Sequence, residues 1–293
     1  MKKEKLPSLS SQKKKSADDN NSIVGIIPAC GQNNDMFYSH HNCLLPIGNN
    51  ITAIENSIYE CISFGCDSIW INCHPSITNI LKLQFGNYFK NPNHSKIIKF
   101  TDHPPVPKYI PIYYMNPSWA DFNKRTSWIY SALYAAKTAS LILTRLLETT
   151  RNIRYYFSFP IGVTLINNKF SVAKKIKKSK NFCFTYKGKT FKDNLYTGFT
   201  LNKTQIVEAL EKLTFLETEY TDYGFNSRFF PISKVMSHIN IDKFEKIEVH
   251  AYYPIYTNQK YFDYLQNGDY SRIKKHSRYI KNYVNIKLPK YEQ

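Results

Sequence analysis

Ile23-Val24-Gly25-Ile26-Ile27-Pro28-Ala29-Cys30-Gly31-Gln32-Asn33-Asn34-Asp35-Met36 is the stretch from which the rest of the chain can be read. Its first five residues form an apolar run of the right length for a strand buried on both faces, as in the middle of a parallel sheet. Pro28 breaks the run, and Gly31 allows the backbone an unusual turn in the polar loop that follows. In an open α/β sheet the loop leaving the carboxyl end of the first strand is the usual place for a nucleotide. Pro28, Ala29, Cys30, Gly31, Gln32, Asn33, Asn34 and Asp35 are therefore candidate ligand-binding residues.

Outward from this stretch the pattern alternates. Thr52-Ala53-Ile54-Glu55 reads as a capping box, with Ile54, Ile58, Cys61 and Ile62 at helical spacing and Gly65 as the stop. Ser68 to Cys73 follows as a second buried strand, so strand, loop, helix and strand make a βαβ unit and a parallel sheet. Ser76 can cap a helix carrying Ile77, Ile80, Leu81 and Leu83 that ends near Gly86. A proline-rich loop (Pro92, Pro104, Pro105, Pro107) leads to a strand over Ile110 to Met115. A helix ending Ser131-Ala132-Leu133-Tyr134-Ala135-Ala136 extends through Leu141, Leu143 and Leu147, with Trp128 in the core. Ile153 to Phe159 is a central strand, Asn202 to Gln205 a second capping box, and Lys246 to Ile255 a late strand. These elements predict one α/β domain over residues 22–268, with a mixed, mostly parallel sheet and helices on both sides. Residues 1–21 read as a disordered basic tail and 269–293 as a basic, frayed C-terminal tail, or as a basic helix lying on a partner.

Composition narrows the partners. The 293 residues are 42% hydrophobic and 15% aromatic, enough for a large core. No apolar run approaches the roughly 20 residues that cross a bilayer, and the N-terminus lacks a secretory core segment, so neither a membrane nor secretion is expected. Six cysteines without a C-x-x-C pair read as buried free thiols in a reducing compartment, which implies the cytoplasm. Cys30, His40, His41 and Cys43 match no standard zinc spacing. The net charge of +18 favours anionic partners: nucleotides, nucleic acid or an acidic protein surface. Nine lysines and no acids lie between Lys169 and Lys192, interleaved with Val172, Ile176 and Phe182. They fit either a solvated helix face or, with the tails, a contact for nucleic acid or another polyanion. Lys124 and Arg125 are equally open between an exposed turn and a phosphate contact.

The opening stretch resembles the sugar-1-phosphate nucleotidyltransferase family, whose members join sugar 1-phosphates to nucleoside triphosphates on a GT-A, Rossmann-like fold. Pro28-Ala29-Cys30-Gly31 and Cys43-Leu44-Leu45-Pro46-Ile47-Gly48 keep the family's frame. Asn56 to Cys61 with Gly65 to Ile71 is similar to its second segment, and Tyr256 to Leu265 to its closing strand and helix. The resemblance implies a three-layer sandwich like that of nucleotide-diphospho-sugar transferases, binding a nucleotide or sugar phosphate with magnesium. It also places Arg125 near the nucleotide and Gly198 on the sugar side, where a glycine lets the sugar approach; a strand glycine can equally mark a bulge.

The charged residues of the pattern are replaced. The second glycine falls at Asn33, the threonine at Asn34, the arginine at Asp35 and the lysine at Asn42. The strand that should end in a metal-binding aspartate ends Ser158-Phe159-Pro160-Ile161, and Pro254 and Tyr256 stand where the second should be. Phosphoryl-transfer catalysis rests on such cations and ligands, so weak or absent catalysis is expected. The alternative is a non-catalytic nucleotide- or sugar-binding protein, or a structural protein of an assembly with polyanion contacts. Divergent members of this kind occur in viral and phage genomes, and such an origin, in host cytoplasm or virion, is the expectation here.

Overall fold

In the computed structural model the apolar run is strand β1 (Asn21–Ala29), at the centre of the sheet. The structure describes residues 21–30, 41–91, 109–117, 127–147, 152–215, 219–220, 228–229, 231–267, 269–270, 273 and 283–284. After β1 come a 3-10 turn (Asn42–Leu44), β2 (Pro46–Gly48), β3 (Ile51–Thr52), α1 (Ala53–Ser63), β4 (Ser68–Cys73), α2 (Pro75–Phe85), β5 (Tyr88–Lys90) and β6 (Tyr109–Met115). The second half runs α3 (Trp128–Leu147), β7 (Asn152–Phe157), β8 (Gly162–Leu165), α4 (Lys169–Lys178), β9 (Phe182–Thr185), β10 (Phe199–Asn202) and α5 (Lys203–Phe215). Then follow β11 (Glu219–Tyr220), β12 (Arg228–Phe229), α6 (Ile232–Val235), β13 (Glu245–Glu248), β14 (Ala251–Pro254), α7 (Asn258–Gln266) and β15 (Tyr283–Val284).

Among the described residues nine strands form one sheet in the order β13-β9-β10-β7-β1-β4-β6-β5-β15. All point one way except β10 and β5, so the sheet is mixed and mostly parallel. β1 is paired on both edges: Ile26 lies opposite Trp70 of β4 on one side and Phe157 of β7 on the other. Its side chains alternate between two cores, because successive strand residues face opposite ways. Ile23, Ile27 and Ala29 pack with α1, α2, α4 and α7, whereas Val24 and Ile26 pack with α3, α5 and α6. That alternation makes three layers. Gly25 is where α1 comes closest, since a Cβ there would lie 2.8 Å from Cys61 Sγ.

Local signals set most element ends. Thr52 caps α1 by accepting from Glu55 N (3.4 Å), and Asn202 and Gln205 exchange the two bonds of a capping box at α5 (2.9 and 3.0 Å). Trp128 is buried at the start of α3, and Ser127 caps it through Tyr130 N (3.1 Å). α4 buries Val172 and Ile176 and turns Lys174, Lys175, Lys177 and Lys178 to solvent. Buried Arg154 on β7 holds the far end of α4 by donating to the carbonyls of Ile176 (2.9 Å) and Ser179 (2.5 Å).

Three expectations change. The N-cap of α2 is His74, not Ser76, because Pro75 suits the first helical position and displaces the boundary by two residues. The late strand is two strands, β13 and β14, in different sheets. The described part of the C-terminal segment is built onto the domain and is not a frayed tail. Tyr253 Oη donates to Asp269, Asn49 N donates to Ile273 O (3.1 Å), and β15 pairs with β5. Residues 1–20 lie outside the described residues. Among the described residues no helix is long and apolar enough to cross a membrane.

Candidate functional site

The carboxyl ends of β1, β4 and β7 share one edge of the sheet. β1 ends with Pro28, Ala29 and Cys30, all buried. Gly31, Gln32, Asn33, Asn34, Asp35 and Arg125 lie outside the described residues. What the sequence did not single out is that Cys30, Cys43 and Cys73 come together here, close enough to influence one another electrostatically. Burial, then Cys73, pushes the Cys30 thiol up to about 12; burial raises Cys43 and Cys73 as well. These thiols stay protonated at neutral pH, which makes them poor nucleophiles. Cys73 Sγ lies 3.2 Å from Thr78 Oγ1 and donates to Met115 O at 3.5 Å.

Two histidines flank the thiols. Ser76 N donates to His74 Nδ1 (3.2 Å), so that nitrogen carries its lone pair, and Ser76 Oγ (2.7 Å away) gives it its single proton. Ser76 Oγ then accepts from His41 Nε2, 3.0 Å away. The rings of His41 and His74 lie 4.8 Å apart between centroids. Burial, then His74, takes His41 down to about 4, and burial lowers His74, so both are neutral imidazoles at neutral pH. The start of α2 offers no spare amide for a phosphate. Pro75 has no N–H, Ser76 N is used by His74, and Ile77 N donates to His74 O (3.0 Å). Among the described residues no group of three His, Cys, Asp or Glu side chains could hold a metal ion; His40 lies outside them.

The β7 side differs. Ser158 N donates to Ile26 O (3.0 Å), which sets Ser158 beside the end of β1. Beneath it lies Glu60 of α1, fully buried. Tyr156 Oη and Ser158 Oγ (3.3 Å) donate to its Oε1, and Thr164 Oγ1 donates to its Oε2 (3.2 Å). Burial raises its pKa, opposed by the bond from Tyr156, the charge of Lys169 and the bonds from Thr164 and Ser158. Gly198 completes this cluster. A Cβ there would lie 2.3 Å from Tyr156 Oη and 2.9 Å from the Phe184 ring, so packing alone accounts for the glycine.

The two segments that the resemblance equips with metal carboxylates do meet. Ile255 N donates to Ile161 O (2.9 Å), Pro254 pairs with Gly162, and Phe159, Tyr196 and Tyr256 form a chain of edge contacts at 5.5 and 5.9 Å. What they bring is a serine hydroxyl, aromatic rings and a phenol. Magnesium demands hard oxygen ligands and usually takes carboxylates. The nearby carboxyl, Glu60, is enclosed by three hydroxyls and driven toward its neutral form. Among the described residues this donor set does not fit the ion.

No family model and no curated protein matches the chain. Solved structures do. A nucleoside-diphosphate-sugar pyrophosphorylase from Vibrio cholerae RC9 aligns over 84% of this chain and all of its own, at 10% identity and a TM-score of 0.46. A Bacillus anthracis protein assigned as a glucose-1-phosphate thymidylyltransferase, in complex with a sucrose, aligns over 88% of this chain and 99% of its own, at 8% identity and a TM-score of 0.55. With the strand order above, the second likeness establishes the fold: this chain is a three-layer, Rossmann-like α/β protein of the architecture found in sugar-phosphate nucleotidyltransferases.

Proposed function

We propose that the protein binds a phosphorylated ligand, a nucleotide or a sugar phosphate, at the carboxyl edge of β1, β4 and β7, with weak or no nucleotidyl transfer. Pro28 to Cys30, the loop through Asp35, and Arg125 are the residues assigned to that ligand. The observation that carries the reading is the meeting of the segment after β7 with that after β14, where Phe159 and Tyr256 both pack on Tyr196. The fold is kept there, and hydroxyls and rings stand in place of carboxylates. Glucose 1-phosphate and dTTP, chosen from the activity assigned to the Bacillus anthracis neighbour, serve as probes. A thermal-shift screen with both should raise the melting temperature, since a ligand of the folded form alone stabilises it. No shift with either probe, with or without magnesium, would count against the reading.

A second reading, a non-catalytic structural protein of an assembly such as a virion, is favoured by α4. Its exposed Lys174, Lys175, Lys177 and Lys178 form a continuous basic face. Retention on heparin that falls steeply with salt is the expected outcome; salt-independent elution would remove this reading.

A further inference from the structure

Lys260 lies in the first turn of α7, where Thr257 caps the helix by accepting Lys260 N (3.3 Å). Its ammonium sits 3.8 Å from the centroid of the Tyr256 ring and donates to the Tyr256 hydroxyl. Among the described residues no carboxylate pairs with it. This is an awkward place for a cation, because the amino end of a helix already carries partial positive charge. The residue is half-buried. Tyr256 in turn touches Tyr196, which touches Phe159 beside Ser158, so a run of ring contacts leads from Lys260 to the end of β7.

We propose that Lys260 is a ligand-binding residue that supplies the positive charge for a phosphate-bearing ligand between β7 and α7, so that binding there needs no divalent metal. The inference rests on the reading that the site takes a nucleotide or sugar phosphate, and deepens it. Two observations from different parts of the chain support it. The donor set at the junction of Ser158, Phe159 and Tyr256 does not suit magnesium, so a phosphate there needs its charge met in another way. A cation with no acidic partner among the described residues stands on Tyr256 itself. An ammonium on a four-carbon stem has three rotatable donors and serves a phosphate as a compact point charge. The tyrosine face holds the stem in place before the ligand arrives, which reduces the ordering needed on binding.

The test is calorimetric titration of the full chain with glucose 1-phosphate and with dTTP, in excess EDTA and again with magnesium. The expected result is binding in EDTA that magnesium does not strengthen, weakened at least about tenfold by Lys260→Met and largely restored by Lys260→Arg. The unliganded variants should melt within a few degrees of the wild type, as for other surface substitutions. Binding that appears only with magnesium, or Lys260→Met binding as tightly as wild type, overturns the inference and leaves the ligand reading standing. A wild type that binds neither probe under either condition overturns both. Should Lys260→Met fail to fold, amine footprinting of the wild type decides. Saturating ligand should protect Lys260 from an amine-reactive reagent, and unchanged labelling overturns the inference.

Discussion

The two sides of the candidate site treat titratable groups differently. On the β1–β4 side, Cys30, Cys43, Cys73, His41 and His74 crowd together, and burial holds all five uncharged at neutral pH. On the β7–α7 side, a buried carboxyl is enclosed by the hydroxyls of Tyr156, Ser158 and Thr164, and Lys260 stays half-exposed on Tyr256. Among the described residues the first side presents only neutral groups at the carboxyl ends of β1 and β4. The second keeps one half-exposed cation, on the ring of Tyr256. Buried groups without a charged partner pay for desolvation by becoming neutral, so electrostatic function survives only where solvent still reaches.

The largest effect is expected on the β7 side. Gly198→Val places side-chain atoms against Tyr156 Oη and Phe184, displacing the tyrosine from Glu60. A loss of about 3 kcal/mol or more is expected, combining overpacking with an orphaned buried hydroxyl, and urea unfolding measures it. Next comes Glu60→Gln. The folded pKa of Glu60 is raised from 4.5, so its contribution to stability is complete below 4.5 and is lost as the pH rises through the folded value. The amide does not titrate. Wild type should therefore lose stability relative to Glu60→Gln as the pH rises above 4.5, read from paired denaturation curves. Equal pH profiles would mean that the carboxyl is not held neutral.

His41 gives the opposite slope. Its pKa is lowered from 6.5 to about 4, so its contribution is intact above 6.5 and is lost as the pH falls toward 4. His41→Gln should remove about 1 kcal/mol of acid sensitivity, after solvent screening is allowed for. The two substitutions together would flatten the profile on both flanks. Ser76→Ala should do least. It breaks the link between His41 and His74 at an exposed position, for about 0.5–1 kcal/mol, and leaves the pH response of Glu60 untouched.

The sequence disclosed what short-range chemistry controls. The run Ile23 to Ile27, the cap at Thr52 and the box at Asn202 and Gln205 each carry their signal within a few residues, and each stands where it was expected. The cysteine cluster did not show, because Cys30, Cys43 and Cys73 belong to three separate elements that only the sheet brings together. Glu60 was hidden within the helical pattern of Ile54, Ile58, Cys61 and Ile62. Its burial depends on hydroxyls roughly a hundred residues away, on β7 and β8. At α2, the proline at the first helical position was the better start signal than the serine after it. For Gly198 the residue type suggested a ligand, whereas the tight contact is with Tyr156. Lys260 carried no signal at all until its ring partner was placed beside the cleft.

Turnover is the most direct test of the proposal that the fold is kept without the metal chemistry. Pyrophosphate release is measured from purified protein with dTTP, glucose 1-phosphate and magnesium, while the same ligands are followed by thermal shift. Expected is a raised melting temperature with no release above the protein-free rate. Steady pyrophosphate release that EDTA abolishes would contradict it.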